Sequence, residues 1–253
     1  MKILKNNFIS THLNRSIFRI FYFKKNIEAN IVRKLQLKYP KEIDLANFIV
    51  KKVLEDGFIK LPCLDETYLE KITEEYNYLM NFYKYLDVVC EEKEGTLIRL
   101  RPLWRLNSKR FKYIFSFFHN KFFFNIAENF FKKKYGNFSF NNEIFFHKTI
   151  STKKPLSGDY HYDIRQTLKF WLYINDINSE NGPMSVEKMS SKKNQTLLSK
   201  NMDENLVEVN QENCIKLIGK RGSIYIHDTT ASHKSNFVEE GYERNIIRAH
   251  SWL

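Results

Sequence analysis

The sequence predicts a mainly β protein with flanking helices, built on a double-stranded β-helix, that is, a cupin-like jelly roll. Two observations carry this. From Asn142 onward, short apolar or alternating runs recur between turn signals, a pattern of many short strands that suits two packed sheets. A chain of 253 residues with 43% hydrophobic and 15% aromatic content can also bury one substantial core, which excludes a disordered protein.

Taken in order, the chain opens on a basic segment, residues 1–41, with ten Lys/Arg against the single acid Glu28, supplying +9 of the formal +12. Leu13, Ile17, Ile20, Phe21, Ile27, Ile31 and Leu35 approximate a helical stripe with basic residues between them. Such a helix can pack on the outside of the barrel, the simpler reading, or lie on an anionic membrane surface. Residues 42–253 read as a single jelly-roll domain, with helical additions within 42–140. Helices are expected over Leu45–Leu54, Glu66–Tyr85 and Phe122–Lys134, the last closing at Tyr135-Gly136-Asn137. Between the first two, Asp56 to Pro62 alternates like a short strand after a turn.

Strands are expected near Ile144–Thr152, Leu168–Ile174, Met184–Glu187, Cys214–Leu217, Ser223–His227 and Asn245–Trp252. Turns punctuate them at Ser157-Gly158-Asp159, Asn181-Gly182-Pro183 and Lys220-Arg221-Gly222. Residues 190–212 are polar and read as an insertion or loop, with a short helix over Glu204–Val209.

The charge left after residue 41 is ordinary, and no docking motif accompanies it, so nucleic-acid binding is not expected. Cys63, Cys90 and Cys214 are odd in number and widely spaced, which argues against a disulfide framework or a CxxC zinc site. With neither an apolar signal segment nor an 18-residue apolar run, a cytoplasmic protein is expected, with peripheral membrane contact through residues 1–41 as the other option. Oligomeric state is open.

The chemistry concentrates in His161 and Asp163, two apart and so on one face of an extended strand, and His233, which follows 70 residues later. Two histidines and one carboxylate on one face of a metal leave the opposite positions free, an arrangement suited to non-haem iron(II) activating O₂. His-x-Asp alone is a weak signal. Joined to a later histidine and to Arg244, whose guanidinium could grip the far carboxylate of a keto acid, it is more specific. His227, at a strand end, competes as distal ligand but leaves Arg244 seventeen residues away. Arg165 and Lys148 are candidates for a substrate pocket, with Lys154, Arg101 and Arg105 as further cations that could face the same cavity. Solvated strand-edge charges are the plainer reading of each alone.

These residues resemble the phytanoyl-CoA dioxygenase-like family of iron(II)/2-oxoglutarate oxygenases. The likeness runs over roughly residues 45–253, through Asp56-Gly57-Phe58 with Leu61-Pro62, His161-Tyr162-Asp163, Asn181-Gly182-Pro183, Gly222 to Asp228, His233, Asn236 and Arg244. It implies iron(II) on His161, Asp163 and His233, 2-oxoglutarate on Arg244, and Trp171 beside the co-substrate. Arg248 is the lesser alternative to Arg244. The implied activity is hydroxylation of a C–H bond of a small substrate, with O₂ consumed and succinate and CO₂ released. Anionic and lipid- or sugar-linked substrates are both open. One departure stands out: where the family has a Pro-Gly-Ser-His turn, this chain has Glu187-Lys188-Met189-Ser190-Ser191-Lys192. A metal enzyme that uses no 2-oxoglutarate, and a binding module that has lost its activity, are the competing readings.

Overall fold

Alternation along one strand sets out the architecture. In the computed structural model, which describes residues 31–39, 44–86, 88–93, 97–102, 110–136, 141–151, 159–200 and 205–252, the strand β5 (Thr167–Tyr173) is buried at every position. Leu168, Phe170 and Leu172 enter a large apolar cluster shared with helices, while Trp171 and Tyr173 enter a second cluster on the opposite face. A strand covered on both sides lies at the middle of a layered protein.

The layers are a seven-stranded sheet and a three-stranded sheet, in which every pairing is antiparallel. In chain order the strands are β1 (Phe58–Leu61), β2 (Val88–Lys93), β3 (Leu97–Pro102), β4 (Asn141–Ile150), β5, β6 (Met184–Glu187), β7 (Cys214–Lys216), β8 (Ile224–Asp228), β9 (His233–Ser235) and β10 (Glu243–Trp252). The larger sheet runs β1-β8-β5-β10-β4-β3-β2 and the smaller β7-β6-β9. Val186 and Met184 from the smaller sheet pack with Trp171, Tyr173, Tyr225 and Ile246 from the larger, which is the jelly-roll interior.

Helices cover the other face of the larger sheet: α1 (residues 31–38), α2 (Leu45–Asp56), α3 (Glu66–Phe82), α4 (Lys112–Phe118) and α5 (Lys121–Tyr135), while α6 (Ser191–Ser199) is bonded to the β8–β9 connection. The phenylalanine-rich stretch supplies the filling, with Phe123 of α5 meeting Phe170 of β5 at 5.0 Å between ring centroids. The Asn120 side chain caps α5 by accepting from Phe123 N at 2.8 Å, and three lysines, 132–134, suit the negative end of the helix. Ile31 and Leu35 of α1 are buried in this same cluster, on the near side of the expected boundary at residue 42. The rest of the basic stripe, residues 1–30, lies outside the described residues, as do Arg105, Lys154 and Ser157-Gly158.

The strands expected after residue 142 form within two or three residues of their expected ends, and β6 matches at both. Strands β2, β3 and β9 and helix α4 were not anticipated. β9 is three residues long and polar, and β2 reads Val-Val-Cys-Glu-Glu-Lys, half of it charged, so neither carries an apolar run of strand length. The segment after β6 is a correction: the helix forms at Ser191–Ser199, whereas residues 205–209 of the expected Glu204–Val209 helix are extended.

Truncating Phe131, fully buried in α5, to Ala should cost about 3–5 kcal/mol in urea unfolding. The same change at Phe82, which is 45% exposed, should cost far less. Equal losses would contradict the helix-on-sheet packing.

Candidate metal centre

Residues 160–163 form no regular strand, yet they are held by backbone pairing. His161 N donates to His233 O at 3.1 Å and His233 N donates to His161 O at 2.7 Å. Residues that exchange both bonds across an antiparallel pair project their side chains to the same side. The two imidazoles thus stand together, with ring centroids 4.6 Å apart. Asp163 N donates to Thr229 O at 2.9 Å, which turns its carboxylate toward them. Oδ1 of Asp163 lies 3.6 Å from His233 Nε2 and 3.9 Å from His161 Nε2, and one donor atom from each of the three residues lies within 4.8 Å of the others.

The segment carrying His233 is braced from below. Asp228 N donates to Gly57 O at 2.9 Å. Gly57 has φ +86°, and a Cβ there would meet the Ala231 Cβ at 2.8 Å, so only glycine allows the end of α2 to approach so closely. The segment over residues 187–194 contributes here. Ser190 Oγ accepts from Ser232 N at 2.8 Å, and the Asn194 amide donates to Thr230 O and Ser232 Oγ. The turn is made at Met189, φ +64°, a backbone conformation that favours glycine. On the helix side, Lys134 of α5 is buried against the Asp228 carboxylate and Thr230 Oγ1.

Protonation suits metal binding. The His233 Nδ1 faces Ala231 O at 2.8 Å and the His161 Nδ1 faces Asp159 O at 3.2 Å. A carbonyl only accepts, so each Nδ1 carries the proton and each Nε2 keeps its lone pair for an ion. Burial lowers the His233 pKa to about 3 against the opposing pull of Asp163, so the ring is neutral at pH 7. Burial by itself would raise the Asp163 carboxyl. Lys169, 2.7 Å from Oδ2, and His233 overcome it and hold the group below the usual carboxylate range. Oδ2 is thereby engaged by Lys169 and Oδ1 is left facing the histidines.

The face of the larger sheet toward this centre is polar. Lys169 of β5 stands opposite His227 of β8 and His250 of β10, and Trp171 opposite Tyr225 and Arg248. Arg244 is on the same β10 face, buried, with its guanidinium donating to Gly182 O and its Nε without a partner among the described residues. Burial lowers its pKa to about 10, so it stays charged at neutral pH. The Trp171 Nε1–H is likewise buried and unpartnered. His227 is packed edge-on to His233 at 4.7 Å, but His233 and not His227 belongs to the converging set.

Two pocket candidates separate. Arg165 is exposed, and near enough to His250 to add to the lowering of its pKa. Lys148 does not face the interior: it alternates with the inward residues His147 and Thr149, lies on the helix-facing side of β4, and pairs with Glu243 at 3.1 Å. Sequence reading passed over Lys169 and Arg99. A lone lysine in Leu168-Lys169-Phe170-Trp171-Leu172 was the available signal, since a lysine in a fully buried strand requires a partner.

No family model and no curated protein matches this sequence. Solved structures do resemble it. AviO1 from Streptomyces viridochromogenes Tue57 has a TM-score of 0.57 at 14% identity, covering 84% of this chain and 96% of that one. The epimerase SnoN, crystallised with Fe3+, alpha ketoglutarate and nogalamycin RO, has a TM-score of 0.57 at 12% identity, covering 82% and 83%. EctD from S. alaskensis has a TM-score of 0.56 at 12% identity, covering 83% and 77%, and has also been crystallised with bound Fe. The chain therefore has the jelly-roll fold found in non-haem iron and 2-oxoglutarate enzymes. No described helix is long and apolar enough to cross a membrane.

Burial holds the pKa values of His147, His227, His233 and His250 low and pushes Glu75 up to about 7. Below about pH 6.5 the unfolded chain gains four protons on the histidines, while the folded chain keeps one more on Glu75, a net of three (4 − 1). Stability of the metal-free protein should therefore hold above about pH 6.5 and fall as pH drops to 5, by on the order of 5 kcal/mol. Urea unfolding at pH 7 and 5 measures this, and a flat profile would contradict neutral buried imidazoles.

Proposed function

We propose that the chain is an iron(II)- and 2-oxoglutarate-dependent oxygenase that oxidises a C–H bond of a small substrate, with hydroxylation as the outcome. The observation that carries this reading is the reciprocal backbone pairing of His161 and His233, with Asp163 turned between them. The fold likeness to SnoN and EctD supports it, since those proteins were crystallised with iron, and SnoN also with 2-oxoglutarate.

The residues fit the ion. Donors on adjacent positions of an ion with bonds of roughly 2.1 Å stand roughly 3.0 Å apart. The separations of 3.6 and 3.9 Å need only small rotamer shifts to close. Two neutral imidazoles and one ionised carboxylate are the donor set that leaves room for further ligands. Iron(II) with 2-oxoglutarate would supply O₂ activation and C–H oxidation, with succinate and CO₂ as co-products.

The chain's own groups orient and shield. Ala231 O and Asp159 O fix the imidazole planes. Lys169 holds Oδ2 of Asp163, which favours binding through Oδ1 alone. Arg244 offers a buried fork to the distal carboxylate of the co-substrate, exchanging its present carbonyl partner for a charged one. The free Trp171 N–H is placed to donate to the same ligand. The apolar residues Val186, Ala231 and Ile246 around these groups keep the interior dry.

His161→Ala, Asp163→Ala and His233→Ala should each abolish succinate formation from 2-oxoglutarate while leaving the circular dichroism spectrum unchanged. Arg244→Ala should raise the 2-oxoglutarate concentration needed, by about 100-fold or more for a lost charge-assisted bond pair. Succinate release in air-saturated buffer measures the first, and anaerobic titration with Fe(II) and 2-oxoglutarate, followed by the weak visible band of the chelate, measures the second. Turnover surviving in all three ligand variants would reject the assignment.

A further inference from the structure

The inner face of the larger sheet carries more positive charge than the proposed reaction uses. Six cationic side chains stand on it: Lys60 (β1), exposed at the sheet edge, Arg101 (β3), paired with Glu143, and Arg99 (β3), Lys169 (β5), Arg244 and Arg248 (β10). Arg99 pairs with Glu91 at 2.7 Å and Lys169 with Asp163 at 2.7 Å. Arg244 rests on the Gly182 carbonyl. Arg248 has no acid partner among the described residues, and its Nε is buried without a hydrogen bond. Its guanidinium carbon instead lies 5.5 Å from the Trp171 ring centroid and 5.7 Å from that of Phe145, the residues opposite it on the two neighbouring strands.

An enclosed cation with no counter-charge is costly to fold around, and ring faces offset only part of that cost. Arg248 is nevertheless only half-buried, whereas Ile247 and Ala249 on either side, pointing to the helices, are fully buried. Part of the residue is therefore accessible on the inner face of the sheet. On β10 it is two residues from His250, which stands opposite Lys169, the partner of the Asp163 carboxylate. 2-Oxoglutarate brings two carboxylates, one for the iron and one for Arg244, which leaves Arg248 free.

Resting on the reading of the site as an iron(II)/2-oxoglutarate centre, we propose that Arg248, walled by Trp171 and Phe145, is the substrate-anchoring residue, and that the substrate is a small carboxylic acid. A planar guanidinium fork matches a carboxylate bidentately. Away from the sheet edge only one positive charge is left over, since Arg99 already has Glu91, so a singly charged acid is favoured over a phosphate ester. The aromatic walls would flank the carbon skeleton beside the carboxylate and direct it toward the metal.

The test uses the full chain loaded anaerobically with Fe(II) and saturating 2-oxoglutarate, with acetate as probe and acetamide as its neutral control at constant ionic strength. The thermal midpoint should rise saturably with acetate, by about 3–6 °C at tenfold excess over the dissociation constant, and should not respond to acetamide. Arg248→Met should abolish the rise, bind 2-oxoglutarate within twofold of wild type by the chelate band, and leave the unliganded midpoint unchanged or higher, because it removes an unpaired charge. Arg244→Met should keep the acetate response once 2-oxoglutarate is raised to saturate it. The proposal is overturned if wild type does not respond to acetate, if acetamide or Arg248→Met gives the same rise, or if Arg248→Met weakens 2-oxoglutarate tenfold. A lower unliganded midpoint in Arg248→Met would mark a structural arginine and overturn it as well. The chelate band separates this from the broader reading: its absence rejects the cofactor assignment, whereas a normal band without an acetate response rejects only the role of Arg248.

Discussion

The site depends on one short piece of backbone pairing, the two hydrogen bonds exchanged by His161 and His233. Neither residue has another way of finding the other: 72 positions separate them, and His161 belongs to no regular strand. The pairing is secured on both flanks. β9 is paired to β6, with His233 opposite Val186, and His161 is bridged on its other side to Leu206. The Leu206 flank is exposed and the β6 flank is buried, and polar chain in a buried place is tolerable only because its donors and acceptors are met. The residues from Asp228 to Ser232 illustrate this. All are buried, and their partners come from Gly57, Thr167, Ser190, Asn194 and Lys134, on four different parts of the chain.

The larger sheet divides the molecule into two kinds of interior. On its helix side lies a nearly pure hydrocarbon core in which phenylalanines of α4 and α5 meet Phe146 and Phe170. On its inner side the same strands present Lys169, Arg244, Arg248, His227 and His250. The first face supplies stability in proportion to the apolar area it removes from water. The second gives stability up, because both ring nitrogens of His227 and the Nε of Arg244 and Arg248 are buried without hydrogen bonds among the described residues. This combination lies on one face only, next to the converging His161, Asp163 and His233.

Much of this was legible in the residues, and for identifiable reasons. β5 and β6 follow apolar runs bounded by turn residues, and the Asn181-Gly182-Pro183 turn needs glycine because Gly182 has φ +66° and a Cβ there would strike the Phe237 carbonyl at 2.5 Å. The three converging residues could be named from their types and spacing, although the reason given for His161 and Asp163, a shared strand face, is not how they converge. Each is positioned by a separate backbone contact, to His233 and to Thr229. What stayed hidden depended on contacts distant in sequence. β9 is too short and polar to signal itself, and α6 forms because Ser190 and Asn194 find partners on the β8–β9 connection. Lys148 misled because a cation beside His147 in sequence is a cation on the opposite face in a strand.

The most direct measurement of the central claim is anaerobic X-ray absorption of the full chain reconstituted with Fe(II), recorded before 2-oxoglutarate is added. The account predicts one iron per chain, with scattering from two imidazoles and a single-oxygen carboxylate contact, and loss of one imidazole shell in His161→Ala. Iron bound by fewer than two imidazoles, or an unchanged spectrum in that variant, would mean that the pairing of His161 with His233 serves the fold and not a metal.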